Sequence, residues 1–212
     1  MIKVFFLIFE PTSAWDKIAQ ARRGLWHITL VTILPLLLAG TLLEAWGLSA
    51  HGKWQGRFQI MKRFTPPDIA AFETIQFLLL LAMVFLCALV VFRIGQTFLE
   101  RLTFEQAFRT VAYAFSPMFL FHFLDAGASV SPVVPWLLGM GVVVWTLYQG
   151  IPRVMQPDPT HAFGVYLSTT IVIVMTSATV RVITGMYLLG YMDVQHSWMS
   201  RTITSLGSLF GH

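Results

Sequence analysis

FGVYLSTTIVIVMTSATVRVITGMYLL, residues 163–189, decides the fold. The run carries a single charge, Arg181, in its second half. A stretch this long and this apolar reads as a membrane span. A guanidinium inside a span is costly, so it is expected to face protein or water and to have a partner. On an ideal helix Tyr166, Thr170, Ser177, Arg181 and Thr184 fall within an arc of roughly 60°. Such a polar stripe is expected to turn inward, where hydroxyls bond across helices.

The rest of the chain agrees with a membrane protein. Of its 212 residues 56% are hydrophobic and 11% charged, with a mean hydropathy of +0.70. Soluble domains carry roughly twice that charged share. The composition leaves too little polar surface to coat a water-soluble globule. The net charge of +4 suits anionic lipid head groups, and no basic run marks a nucleic-acid partner. Cys87, the one cysteine, excludes an intrachain disulfide and a CxxC metal signature. The N-terminal apolar run is too short for a signal-peptide core, so the mature chain is expected to begin at Met1.

Outward from residues 163–189, four further spans are expected at 24–43, 75–92, 110–124 and 133–151. Each should be helical, because a helix satisfies its own backbone where water is absent. The expected fold is all-α and polytopic: a five-helix bundle over 23–190, an interfacial N-terminal segment 1–22 with a helix opening at Pro11, and a short tail 191–212. Counting Lys and Arg without Arg181, an N-inside topology places 8 on the cytoplasmic side and 5 outside. That predicts a cytoplasmic N-terminus and a C-terminus across the membrane. In the loop 44–74, KWQGRFQIMKRF places Trp54, Phe58 and Met61 on one helical face. It reads either as an interfacial helix or as an ordered loop over the bundle; Gly52 and Gly56 weaken the helix.

With the N-terminus inside, the third and fifth spans both run outward, so Asp125 and Arg181 share a depth. An Asp125–Arg181 ion pair is predicted, with His122 one turn before Asp125 as third member. Glu44 and Asp193 compete for the same cation. Two roles stay open for the cluster of Arg181, Asp125, His122, Tyr113, Ser116, Ser177 and Thr184: a lock between helices, or a polar cavity for a solute, proton or lipid head group. Pro117 and Pro35 are expected to kink the third and first spans, with Ser116 or a water meeting the freed carbonyl of Tyr113. Gly139 and Gly141 are expected to permit close helix approach.

Catalysis finds little support. Ser116 and His122 are six apart, roughly 240° around a helix, and no GxSxG elbow is present. His122 and Asp125 have the i, i+3 spacing of a metal pair, but the other histidines are scattered on both sides of the membrane; no metal site and no cofactor is assigned.

Three segments together carry a family resemblance. PTSAWDKIA at 11–19, FRTVAYAFSPMFL at 108–120 and LYQGIPRVMQPDPTHAF at 147–163 resemble the Yip family of five-span, Rab-GTPase-interacting membrane proteins, in particular its bacterial inner-membrane branch. Tyr113, Pro117, Tyr148, Gly150, Ile151, Pro152, Met155, Pro157, Ala162 and Phe163 carry the match. The long cytosolic domain of eukaryotic members is missing and their acidic opening motif is replaced, so Rab binding is not carried over. The resemblance implies a bacterial inner-membrane protein, non-enzymatic, with roles in membrane organisation. It also implies self-association and binding to lipids and other membrane subunits; a small permease component is the rival class. In the 147–163 loop, Pro152, Pro157 and Pro159 are expected to prevent helix. Asp158 or Thr160 is expected to cap the fifth span. Gly150, Pro152, Arg153 and Pro157 form either a rigid connector or a docking face for a cytoplasmic partner.

Overall fold

The computed structural model describes residues 2–21, 23–55, 60–98 and 102–190. Two short helices, α1 (Ile2–Phe9) and α2 (Pro11–Ala21), open the chain. The first long rod comprises α3 (Leu25–Ile28), a π-helical turn (Thr29–Ile33) and α4 (Leu34–Ala50). A hairpin of β1 (Lys53–Gln55) and β2 (Ile60–Lys62) follows, then α5 (Pro66–Phe98), α6 (Phe104–Phe121) with a 3₁₀ turn (His122–Ala126), α7 (Val133–Val154) and α8 (Ala162–Leu188). Among the described residues, four helical segments are long and apolar enough to cross a membrane: Leu25–Ala50, Pro66–Phe98, Val133–Val154 and Ala162–Leu188.

α6 is the remaining member of the bundle and its centre. Thirteen of its residues, Ala107–Phe119, are buried without a break, because it packs against α5, α7, α4 and α1. Being enclosed by protein, it can carry Glu105, Gln106 and Arg109 in its first turns. A capping box starts it: the Thr103 hydroxyl accepts from the Gln106 amide, and the Gln106 side chain accepts from the Thr103 amide. The long helices instead expose Trp26, Leu42, Leu78, Leu137, Ile171 and Val182 around the outside, the surface lipid would meet.

Several sequence expectations are corrected here. At about 50 Å, the 33-residue α5 far exceeds the expected 75–92 span, because Pro66 starts a good helix well before the apolar run. Residues 53–55 and 60–62 do not belong to an interfacial helix but are antiparallel strands pairing Lys53 with Lys62, Trp54 with Met61 and Gln55 with Ile60. Gly52, at φ +72°, makes the turn that ends the preceding helix; Phe58 lies outside the described residues. Pro152 does not end α7 but sits inside its last turns. The break comes after Val154, where Gln156 adopts a φ of 50°. No side chain caps α8; the Asp158 backbone carbonyl accepts from the amides of His161 and Ala162 instead.

The two span prolines behave differently. Pro35 stands at the start of α4, directly after the π turn. Lacking an N–H and crowding the preceding turn, it is accommodated by the wider register before it. α6 runs on through Pro117. Ser116 does not meet the Tyr113 carbonyl; its hydroxyl donates to Ala112 O at 2.9 Å.

The N-terminal helices dock on one end of the bundle. Leu7, Trp15 and Ile18 are buried there, while Phe5, Phe6 and Phe9 stay exposed. Trp15 meets Tyr113 edge to face at 6.4 Å and lies on Gly150, where an added Cβ would approach the indole at 2.5 Å. Asp16 accepts from Arg153 Nε at 2.9 Å. The three sequence segments that carry the family resemblance therefore converge on one place.

Candidate functional site

A buried polar cluster occupies the other end of the bundle. It gathers Glu44 from the end of α4, Glu73 and Gln76 from α5, His122 and Asp125 from the 3₁₀ turn, and Arg181 from α8. The hairpin covers it. Lys53 Nζ donates to the carbonyls of Asp125 at 2.8 Å and Gly127 at 3.1 Å, and Gln55 Nε2 donates to Leu188 O at 2.8 Å. Asp125 and Leu188 stand at the ends of the 3₁₀ turn and of α8, where carbonyls lose their helical partners; the Gly127 carbonyl also accepts from the Val130 amide. Burial pushes the Lys53 amine below its ordinary value, partly offset by the pull of Asp125 and Glu44.

Asp125 is the hub. Arg181 Nη2 donates to both its carboxylate oxygens at 2.6 Å. Arg181 also donates to Pro132 O, through Nε at 2.6 Å and through Nη2. On its other side Asp125 Oδ2 lies 2.9 Å from His122 Nδ1. His122 Nε2 lies 3.1 Å from Glu44 Oε2. Gln76 Nε2 donates to the same Glu44 oxygen at 2.5 Å and lies 3.4 Å from His122 Nε2. Side chains of α5, α4, the 3₁₀ turn and α8 thus form one chain, Gln76–Glu44–His122–Asp125–Arg181. Glycines let the elements close: a Cβ at Gly40 would meet His122 Cδ2 at 2.8 Å, and one at Gly47 would meet Ala126 O at 2.3 Å.

A crevice adjoins this chain, with ≈ 400 Å³ of empty space counted out to open solvent. Gln76, His122, Asp125, Ser177, Arg181 and Thr184 give it a polar wall, and Leu80, Met118 and Trp136 an apolar one. Trp136 Nε1 donates to Ser177 Oγ at 3.4 Å.

The structure brings together Arg181, Asp125, His122, Ser177 and Thr184 of the sequence candidates. Tyr113 and Ser116 are not part of the group. Nine residues of helix, about 13 Å, separate Tyr113 from His122, and its ring belongs to the Trp15 contact. Glu44 serves His122 rather than Arg181, and Asp193 lies outside the described residues. Gln76, Glu73 and Lys53 are members that sequence reasoning passes over. The signal for Gln76 is an amide placed one residue inside an apolar run. Lys53 gives no such signal, because only the hairpin's fold carries it under the bundle's end. Of the loop candidates, Gly150 is buried beneath Trp15, Arg153 is tied to Asp16 and Gln149, Pro152 is exposed and Pro157 half-buried.

An all-α bundle with four membrane-crossing candidates, held by an internal ion pair, defines a polytopic membrane protein. Residues 5–182 match the family described as the Yip1 domain, and the chain belongs to that family. No curated protein and no solved structure matches it.

Proposed function

We propose that this protein is a non-enzymatic component of a bacterial inner membrane. Its N-terminus is cytoplasmic and its C-terminus periplasmic, and it works as a scaffold, lipid organiser or accessory subunit of a membrane complex. The observation that carries this reading is how the polar groups of the helices are used. At one end they bond one another, from Gln76 to Arg181. Farther along the bundle the hydroxyls turn back on their own helices: Ser116 to Ala112 O, Thr110 to Gln106 O and Thr146 to Val143 O. The opposite end is filled by Trp15, Phe108, Leu147 and Ile151, all fully buried. Such an interior favours a rigid body that acts through its outer surface and its exposed cytoplasmic turn around Pro152 and Pro157.

The crevice beside Arg181 and Thr184 favours one rival, a small permease component in which these residues begin a solute path. The mass of the complex extracted in mild detergent separates the two. The scaffold reading expects an assembly heavier than one chain, carrying further copies, other subunits or tightly held lipid. A lone chain without lipid, which gives solute flux in vesicles that Arg181→Met abolishes, would establish the permease.

A further inference from the structure

Gln76 is 1% exposed. Its Nε2 donates to Glu44, but its Oε1 has no hydrogen-bond partner among the described residues. A buried amide oxygen left open is costly. Gln76 lines the crevice, and so does Arg181. Arg181 spends Nε and Nη2 on Pro132 O and Asp125; among the described residues its Nη1 makes no bond. The crevice thus offers one acceptor, Gln76 Oε1, and one donor, Arg181 Nη1, beside an apolar wall of Leu80, Met118, Phe119 and Trp136.

The rims of the crevice continue into apolar surface. On α7, Pro135 and Trp136 stand between Val133, Val134, Leu137 and Leu138, all exposed. On α8, Val180, Arg181 and Thr184 are interspersed with exposed Val182, Ile183 and Met186. Acyl chains would cover those residues. Arg181 stands seven residues before the end of α8, about 10 Å along its axis. The whole helix, about 40 Å long, matches a bilayer with its head groups around a hydrocarbon core of about 30 Å. The crevice therefore lies near the level where a lipid's phosphate and glycerol esters meet its chains. Its ≈ 400 Å³ is at the small end of ligand pockets, about 300–1,000 Å³, and suits a head group without the chains.

We propose that the crevice holds the head group of one phosphatidylethanolamine molecule, with its ammonium donating to Gln76 Oε1 and a phosphate or ester oxygen accepting from Arg181 Nη1. The charges select this lipid. Arg181 is already neutralised by Asp125, and the Glu44 carboxylate lies behind Gln76, so an anionic head group gains little and an ammonium is drawn in. Phosphatidylcholine brings the same phosphate and esters but no N–H, and would leave Gln76 Oε1 open. The acyl chains then follow the exposed faces of α7 and α8. The site rests on the lipid-organising part of the proposed function and gives that role a particular lipid.

The test delipidates the purified full chain in mild detergent and adds phosphatidylethanolamine, phosphatidylcholine or phosphatidylglycerol with identical chains. Native mass spectrometry then counts the lipids retained per chain. The expected result is one phosphatidylethanolamine per chain, held at least about tenfold more tightly than the other two, the worth of one hydrogen bond to a charged group. Gln76→Leu should abolish the preference over phosphatidylcholine. Val180→Phe, at a half-buried apolar position on the rim, should fold and lose the lipid by filling the crevice. If Gln76→Leu fails to fold, the lipid series and Val180→Phe decide. Equal retention of all three lipids or of none, tighter phosphatidylglycerol, or full retention by folded Val180→Phe would overturn the site. An assembly of several chains that holds no phosphatidylethanolamine would overturn it too, while leaving the scaffold reading in place.

Discussion

The indole of Trp15 lies directly on Gly150, so close that a methyl group at 150 would approach it at 2.5 Å. Trp15 comes from the N-terminal helices and Gly150 from the penultimate turn of α7. The contact fastens the start of the chain to the bundle, and the Asp16–Arg153 pair lies beside it.

Gly150→Ala should therefore destabilise the protein by about 1–3 kcal/mol through overpacking. Trp15→Ala, which empties a fully buried site, should cost about 3–5 kcal/mol. Thermal unfolding in detergent measures both. Combined, the two changes should cost less than their sum, because the alanine at 150 no longer meets an indole.

Glycines in α7 and α4 should divide by what faces them. Gly141 has open space, so Gly141→Ala should change stability by no more than about 0.5 kcal/mol. A Cβ at Gly139 would meet Met118 Cα at 2.9 Å, and one at Gly47 the backbone of Ala126 at 2.3 Å. Backbone cannot rotate away, so Gly139→Ala and Gly47→Ala should each lower the unfolding temperature clearly, Gly47→Ala the more.

Lys53 should leave a mark on the pH dependence of stability. Burial holds its amine below its ordinary 10.5, so the unfolded chain binds this proton more tightly than the folded one. Stability should then rise with pH between the depressed value and about 10.5. Comparing wild type with Lys53→Met isolates the effect: the difference should move in favour of wild type as pH climbs through that window. A difference that stays flat would contradict the buried position of the amine.

The ion pair was legible in the sequence because topology fixes depth. On the expected topology the third and fifth segments run the same way, which places Asp125 and Arg181 at one level, and few other charges compete there. Helical periodicity also places Ser177, Arg181 and Thr184 on one inward stripe, as found. Periodicity fixes angle, however, and not partners. Polarity within a span groups Tyr113 with the cluster, although the bundle places its ring at the opposite end against Trp15. The hairpin was hidden for a related reason. Trp54 and Met61 are seven apart, so they share a face on a helix and are also direct cross-strand partners in the hairpin. The pattern of apolar residues cannot separate the two, and Gly52, with its positive φ, is the local feature that decides. Glu44, Gln76 and Lys53 meet His122 and Asp125 through contacts between distant segments, which no local pattern encodes.

The most direct test of the claim that the interior charges tie the helices together is a double-variant cycle on Arg181 and Asp125. Unfolding free energies in detergent are compared for Arg181→Met, Asp125→Asn and the pair. Arg181→Met strands a buried carboxylate and should cost about 3–5 kcal/mol, while the double variant should recover a large part of that loss, and vesicles holding any folded variant should show no change in solute or proton flux. Single variants as stable as wild type, with altered flux, would contradict the account.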